Sequence, residues 1–177
     1  MSKTVDEHRA ISPKNLAFAF LTVSTSRAQK LAEGSTINDP SGDMAVALLS
    51  EAGQRVVFKK IVADDNASII SLIEILLSRK DIDVIITCGG TGVTKSDVTI
   101  ETIEPLFTKN LPGFGELMRK ISYEDIGSAA MLTRAEAGVI GDKAVFCIPG
   151  SPQAVKTALL KLIIPEVSHI VKHIREK

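Results

Sequence analysis

The sequence predicts an α/β fold: a single-domain, three-layer α/β/α sandwich on a mostly parallel sheet with one antiparallel strand. Three observations carry this reading. Apolar runs such as Leu16–Val23 and Val84-Ile85-Ile86 alternate with amphipathic helical patterns, the order expected of parallel strands joined by crossover helices. Two of the strand-to-helix junctions are rich in glycine or proline, at Gly89–Gly92 and Pro149–Pro152. The chain has 177 residues, 45% of them hydrophobic, enough for one domain with a substantial core.

The elements follow in order. Residues 1–14 are polar and lack the apolar centre of a signal peptide, so they are expected to form a mobile tail, with the domain spanning 15–177. Leu16–Val23 reads as a central parallel strand. Ser24–Pro40 reads as a long polar loop, the kind that is functional or mobile. Ser41 is expected to cap a helix over Gly42–Ala52, with either Met44, Leu48 and Ala52 or Ala45 and Leu49 turned inward, and Gly53 ending it. Arg55–Ala63 is the next strand. Asp64-Asp65-Asn66 caps a helix over Ala67–Arg79 with the inward stripe Ile69, Leu72, Ile73 and Leu76.

After the strand ending at Cys88, Asp97 or Ser96 is expected to cap a helix over Val98–Phe107. A helix from Pro112-Gly113 ends near Ile121, and Ala129–Arg134 is a connector or short strand. Gly141-Asp142 between Ala137–Ile140 and Lys143–Ile148 signals a hairpin, which supplies the antiparallel strand. Pro149-Gly150-Ser151-Pro152 leads into one or two amphipathic helices broken near Pro165.

Composition excludes several functions. The 21 basic and 21 acidic residues cancel, and there is one Tyr and no Trp, so nucleic-acid binding by stacking or by a basic stripe is not expected. No apolar run is long enough to span a membrane. Cys88 and Cys147 lie in apolar runs and read as buried free thiols, which points to the cytoplasm. His169 and His173 stand four apart on a helix without an evident third ligand, the pattern of a solvated face. No Ser–His–Asp or Cys–His arrangement suggests a covalent nucleophile. Haem, zinc and flavin are not expected. Mean hydropathy is +0.19, a surplus of apolar residues that fits either a large core or burial between subunits.

The chemistry centres on Cys88–Thr99. A loop with Gly89, Gly90 and Gly92 leaves a strand end, where open α/β sheets bind ligands. Its N–H groups can face a phosphate without a Cβ in the way. Thr91 and Thr94 add hydroxyl donors, and Asp97 adds a carboxylate, a set that suits a phosphate arriving with Mg²⁺. The spacing is neither a Walker loop nor the dinucleotide fingerprint. Asp64, Asp65 and Asp97 all follow strand ends, so their carboxylates could share one crevice. Asp65 reads as a helix cap, and for Asp64 and Asp97 both readings stay open. Ser151 and its neighbouring N–H groups could make a second phosphate or ring contact. Arg134, on a connector, is compatible with a simple surface charge.

The residues resemble the MoaB/Mog family of molybdenum-cofactor biosynthesis proteins, which includes the gephyrin and plant Cnx G domains. The matching pieces are Leu21–Ser24, Asp39 with Ser41-Gly42, Thr87 with Gly89–Gly92, Asp97-Val98-Thr99 with Glu101, Pro112–Glu116 with Arg119, Ile126-Gly127, Leu132–Ala135 with Ala137–Val139, and Pro149–Pro152. They span nearly the whole chain. The resemblance implies a trimer, or a hexamer as in the MoaB branch. It implies binding of molybdopterin, a pterin dithiolene with a terminal phosphate, and its adenylylation by Mg-ATP to adenylyl-molybdopterin and pyrophosphate, ahead of metal insertion by a separate protein. It places Asp64 and Asp97 as the catalytic, Mg²⁺-holding pair and Gly89, Gly90, Thr91 and Gly92 on phosphate. Ser24, Arg27, Pro149, Gly150 and Ser151 complete the substrate pocket. The first loop, Thr25-Ser26-Arg27, lacks the acid that many Mog-type members carry there, and Ile100 stands where proline is common. Retention of Asp64 favours an active enzyme over the alternative, a non-catalytic carrier of molybdopterin.

Overall fold

Strand β1 (Ala17–Val23) is apolar except for Thr22, and all seven residues are buried, as a strand covered on both faces requires. In a computed structural model, which describes residues 13–176, it is flanked by β2 (Arg55–Val62) and β3 (Val84–Cys88), both parallel to it. Beyond β3 come β6 (Lys143–Ile148), parallel, then β5 (Glu136–Ile140) and the two-residue β4 (Lys109–Asn110), giving the order β2-β1-β3-β6-β5-β4. Only β5 runs against the rest. The alternation of each strand feeds two cores. Phe18, Phe20, Val84, Ile86, Phe146 and Ile148 face one helical layer. Ala19, Leu21, Val23, Ile85, Val145 and Cys147 face the other. The three-layer sandwich is therefore as the sequence predicts. The expected 1–14 tail lies outside the described residues except for Pro13 and Lys14.

The helices depart from expectation in specific places. The supposed loop after β1 begins with a helix, α1 (Thr25–Ala32), none of whose residues is buried. Its residues include good helix formers, and Ala28, Leu31 and Ala32 stand at helical spacing, but the apolar stripe is short and unburied among polar neighbours. Helix α2 (Pro40–Glu51) is capped by Asp39, not Ser41: the Gly42 N–H donates to Asp39 Oδ1 at 3.1 Å. Asp39 is buried and also accepts from the Thr22 hydroxyl at 2.9 Å. Ser41 instead donates to the Gly150 carbonyl at 2.8 Å. Of the two alternative inward faces, Ala45 and Leu49 are the buried pair, and Gly53, at φ 72°, follows the helix end.

Helix α3 (Asn66–Ser78) buries Ile69, Leu72, Ile73 and Leu76, the stripe the sequence marks, and its N-cap is Asp65, which accepts from Ser68 N at 2.8 Å. Asp65→Ala should therefore lower the urea midpoint through the lost cap and leave catalysis unchanged. Urea melts and turnover measured on the same variant check both halves.

The helix expected over Val98–Phe107 divides into α4 (Thr99–Ile103) and a 3₁₀ turn, Glu104–Leu106, where Pro105 has no N–H to continue the α pattern. Helix α5 (Pro112–Ile126) runs past Ile121 to Gly127, whose φ of 60° suits a glycine stop. Residues Gly127–Leu132 are 3₁₀ connector, not strand. The final rod is α6 (Pro152–Ala158), a π segment (Leu159–Ile163) and α7 (Ile164–Arg175). The break expected at Pro165 is absorbed by the widened turn before it. No helix among the described residues is long and apolar enough to cross a membrane.

Candidate active site

Four parallel strands end at one edge of the sheet, and their loops are tied together there. Ser24 N donates to Val62 O at 2.8 Å, and Gly89 N donates to Ile148 O at 3.0 Å. Asp64 N donates to Thr25 Oγ1 at 3.0 Å. The two glycine-bearing loops touch: a Cβ on Gly150 would stand 3.1 Å from Gly89 Cα. Because β5 is antiparallel, its N-terminal flank arrives at this same edge, bringing Thr133 and Arg134.

A cleft of about 340 Å³ opens here, lined by Gly89–Gly92, Asp97, Thr133, Arg134, Pro149 and Gly150 among others. The two aspartates are seated on the glycine loop. A Cβ on Gly90 would lie 2.6 and 2.7 Å from the carboxylate oxygens of Asp64. A Cβ on Gly92 would lie 2.7 Å from Asp97 Oδ2. The glycines are thus required because acids lie where side chains would go. Gly90 also holds φ 62°.

The two carboxyls live in different surroundings. Burial pushes Asp64 above the usual carboxylate range, and the charges of Asp97, Asp65 and Glu101 push the same way, against a hydrogen bond from Val98 N at 3.3 Å. Asp97 is held low, chiefly by the Thr94 hydroxyl at 2.5 Å, with help from the Thr94 N–H at 2.9 Å and from Arg134. Neither aspartate accepts a capping bond in the way Asp65 does for α3. Asp97 closes a local turn with Thr94. Asp64 Oδ1 takes the N–H of Val98, the residue before α4. Two neighbouring carboxyls pushed in opposite directions make the pair a candidate functional site.

The remaining sequence-marked residues fall nearby. Thr91 is buried and lines the cleft. Ser24 and Arg27 flank the start of α1 and do not line it, and the Ser24 hydroxyl lies 3.4 Å from that of Ser26. Ser151 caps α6 by accepting from Ala154 N at 3.2 Å. It lines a second cavity of about 200 Å³ that meets the cleft at Thr133 and Pro149. Cys88, beneath the loop, is buried with its thiol pushed up to about 12 by desolvation, so it is not a nucleophile. Two cleft residues, Thr133 and Arg134, belong to a family-matching piece of the sequence but carried no expected site role. Arg134, compatible with a surface charge, instead donates to Gly92 O at 2.9 Å and pairs with Glu101. Thr133 joins the two cavities. His169 and His173 meet at 2.7 Å on α7, and no group of three or more His, Cys, Asp or Glu among the described residues could hold a metal ion unaided.

Known proteins share this fold and much of this sequence. The family described as "Probable molybdopterin binding domain" matches residues 19–169. Molybdenum cofactor biosynthesis protein B of Bacillus cereus is 46% identical over 168 residues, covering 94% of this chain and 95% of that protein. Molybdopterin adenylyltransferase of Pyrococcus furiosus is 45% identical over 177 residues, covering 97% and 99%. Among solved structures, a molybdenum cofactor biosynthesis protein B superposes with a TM-score of 0.84 at 44% identity, over 94% of this chain and 99% of that one. The tungsten cofactor synthesizing protein MoaB of Pyrococcus furiosus superposes with a TM-score of 0.80 at 45% identity, over 93% and 100%.

Proposed function

The chain belongs to the family of probable molybdopterin binding domains, and from that premise we propose that it is a nucleotidyltransferase of molybdenum cofactor biosynthesis, a molybdopterin adenylyltransferase. An oxygen of the molybdopterin terminal phosphate bonds to the α-phosphorus of ATP. The bond from that phosphorus to the bridging β-phosphate oxygen breaks, and pyrophosphate leaves. The product is adenylyl-molybdopterin, ready for a metal-inserting protein. The observation that carries this reading is the seating of both acids on one glycine loop, Asp64 against Gly90 and Asp97 against Gly92, with the loop and Asp97 lining the cleft.

This transfer needs positioning and charge neutralisation, with no covalent intermediate on the protein. The N–H groups of Gly89–Gly92 and the Thr91 hydroxyl would hold phosphate. The donor set fits Mg²⁺: two hard carboxylates, with the other coordination positions left to phosphate oxygens and water. Burial first, and then the charges of Asp97, Asp65 and Glu101, disfavour the ionised Asp64, and a cation held there would offset both. Asp64 and Asp97 would hold Mg²⁺, and the chemistry it would supply there is charge neutralisation at the ATP phosphates. Asp97, held ionised by Thr94, keeps an anionic ligand in place whether or not substrate is present. Ser24, Arg27, Pro149, Gly150 and Ser151 are proposed to complete the pterin and phosphate pocket. The reducing cytoplasm is the proposed compartment, supported by two buried free cysteines.

Pyrophosphate release from Mg-ATP that depends on added molybdopterin supports the enzyme. Tight molybdopterin binding with no release would make the protein a carrier in the same pathway.

A homo-oligomer, trimer or hexamer, is proposed with it. Tyr123, Ile126, Met131 and Leu132 are more than half exposed, at 65%, 56%, 81% and 62%, and close together in sequence they offer an apolar surface that association would cover. Sedimentation should show an oligomer at micromolar protein, and a monomer there contradicts it.

A further inference from the structure

Arg134 is the one basic residue among the described residues that line the cleft. It stands with its guanidinium between two acceptors. Nη1 donates to Gly92 O at 2.9 Å, on the glycine loop, and Nη2 pairs with Glu101 on α4. The pair is not buried: the Arg134 side chain is 31% exposed and that of Glu101 51%. Two acceptors occupy two of the five N–H donors that a guanidinium carries. The surrounding charge is otherwise negative, from Asp97, Glu101 and Asp64. An oligophosphate entering the cleft brings several more negative charges, and Arg134, the one cation among the described lining residues, meets it with a planar fork that suits a phosphate. An ion pair as exposed as Arg134–Glu101 holds weakly in water, so a phosphate can displace the carboxylate while the Gly92 bond keeps the guanidinium at the loop.

We infer that Arg134 is a phosphate-binding residue of this cleft and that Glu101 is a positioning residue, which parks the guanidinium until phosphate replaces it. This rests on the reading of the cleft as a nucleotide site. It also separates two roles for the same contacts. If Arg134 and Glu101 only brace the loop, removing either weakens the site in the same direction. If Glu101 competes with phosphate, removing it has the opposite sign to removing Arg134.

The test is calorimetric titration of the full chain with magnesium pyrophosphate, for the wild type and for Arg134→Gln, Arg134→Lys and Glu101→Gln. Arg134→Gln should weaken binding about ten- to a hundredfold, the loss of a charge-assisted hydrogen bond. Arg134→Lys should recover part of that, keeping the charge and losing the fork. Glu101→Gln should bind as tightly as the wild type or several-fold tighter. Weakening of similar size in Arg134→Gln and Glu101→Gln overturns the inference, as does wild-type affinity in Arg134→Gln, or no binding by the wild type. Binding that follows the expected pattern in a protein that transfers no AMP would retain the inference and remove the adenylyltransferase reading.

Discussion

Exchanging Asp97 for alanine is expected to lower AMP transfer about 10²- to 10³-fold, the usual cost of removing one preorganised charge from a polar transition state. Asp64→Asn should cost a similar factor, yet the two variants should differ in stability. The folded Asp64 carboxyl lies above its ordinary value of 3.8. Between that value and its folded pKa the native state binds more protons than the unfolded state, so stability falls as pH rises through this window, and the penalty persists above it. Asparagine removes the penalty and can still accept from Val98 N. Asp64→Asn should therefore match or exceed the wild type in urea midpoint at neutral pH.

Asp97 has the opposite sign. Its carboxyl lies below 3.8 in the folded state, so it adds stability that is complete above 3.8 and lost as pH falls through the folded value. Asp97→Ala should be less stable than the wild type at neutral pH, with the gap closing in acid. A clear loss of stability in Asp64→Asn at neutral pH would mean that this carboxylate is a structural cap.

The second large effect is expected at Gly90. Its φ of 62° costs an L-residue about 1–2 kcal/mol. A Cβ would also press on Thr99 Oγ1 and stand 2.6 Å from Asp64 Oδ1. Thr99 cannot give way easily, because its hydroxyl donates to Gly89 O at 2.9 Å and its N–H to Gly90 O at 2.9 Å. Asp64 must then move, so Gly90→Ala should lose most of its activity as well as stability. Gly53→Ala is the control: φ is 72° and nothing lies within 4 Å of the added Cβ, so only the backbone cost applies and activity stays. Equal urea midpoints for the two variants, or a fully active Gly90→Ala, would show that crowding against Asp64 is not what makes Gly90 necessary.

What could be read in the sequence was what repeats. The buried strands are unbroken apolar runs, and Ile69, Leu72, Ile73 and Leu76 fall at helical spacing, so sheet, layers and the antiparallel hairpin followed. Helix α1 could not be read because it buries nothing. The choice between Asp39 and Ser41 as a cap was equally closed, since both side chains can accept an N–H, and only the Gly150 carbonyl opposite Ser41 separates them. The glycine loop and Asp97 were legible because three glycines cluster at a strand end before a helix, although the structure gives each a packing reason as well: added side chains would meet the Val23 carbonyl, Thr99 with Asp64, and Asp97. Asp65 was legible as the helix cap, which the structure bears out, whereas Asp64 beside it stayed open, and only the fold seats it on the glycine loop. Arg134 was missed for a topological reason. Site residues of parallel strands follow the strand, whereas β5 is antiparallel and delivers the residues that precede it, a consequence of the legible hairpin that a search of strand C-terminal ends alone passes over.

The account's central claim is AMP transfer at the Asp64–Asp97 loop, and the most direct measurement follows the α-phosphate. Purified protein is incubated with Mg-ATP labelled at the α-phosphorus and with molybdopterin, and the pterin is recovered and analysed. The account predicts labelled adenylyl-molybdopterin from the wild type and almost none from Asp97→Ala. Molybdopterin recovered unlabelled from wild-type protein that binds it fully would contradict it.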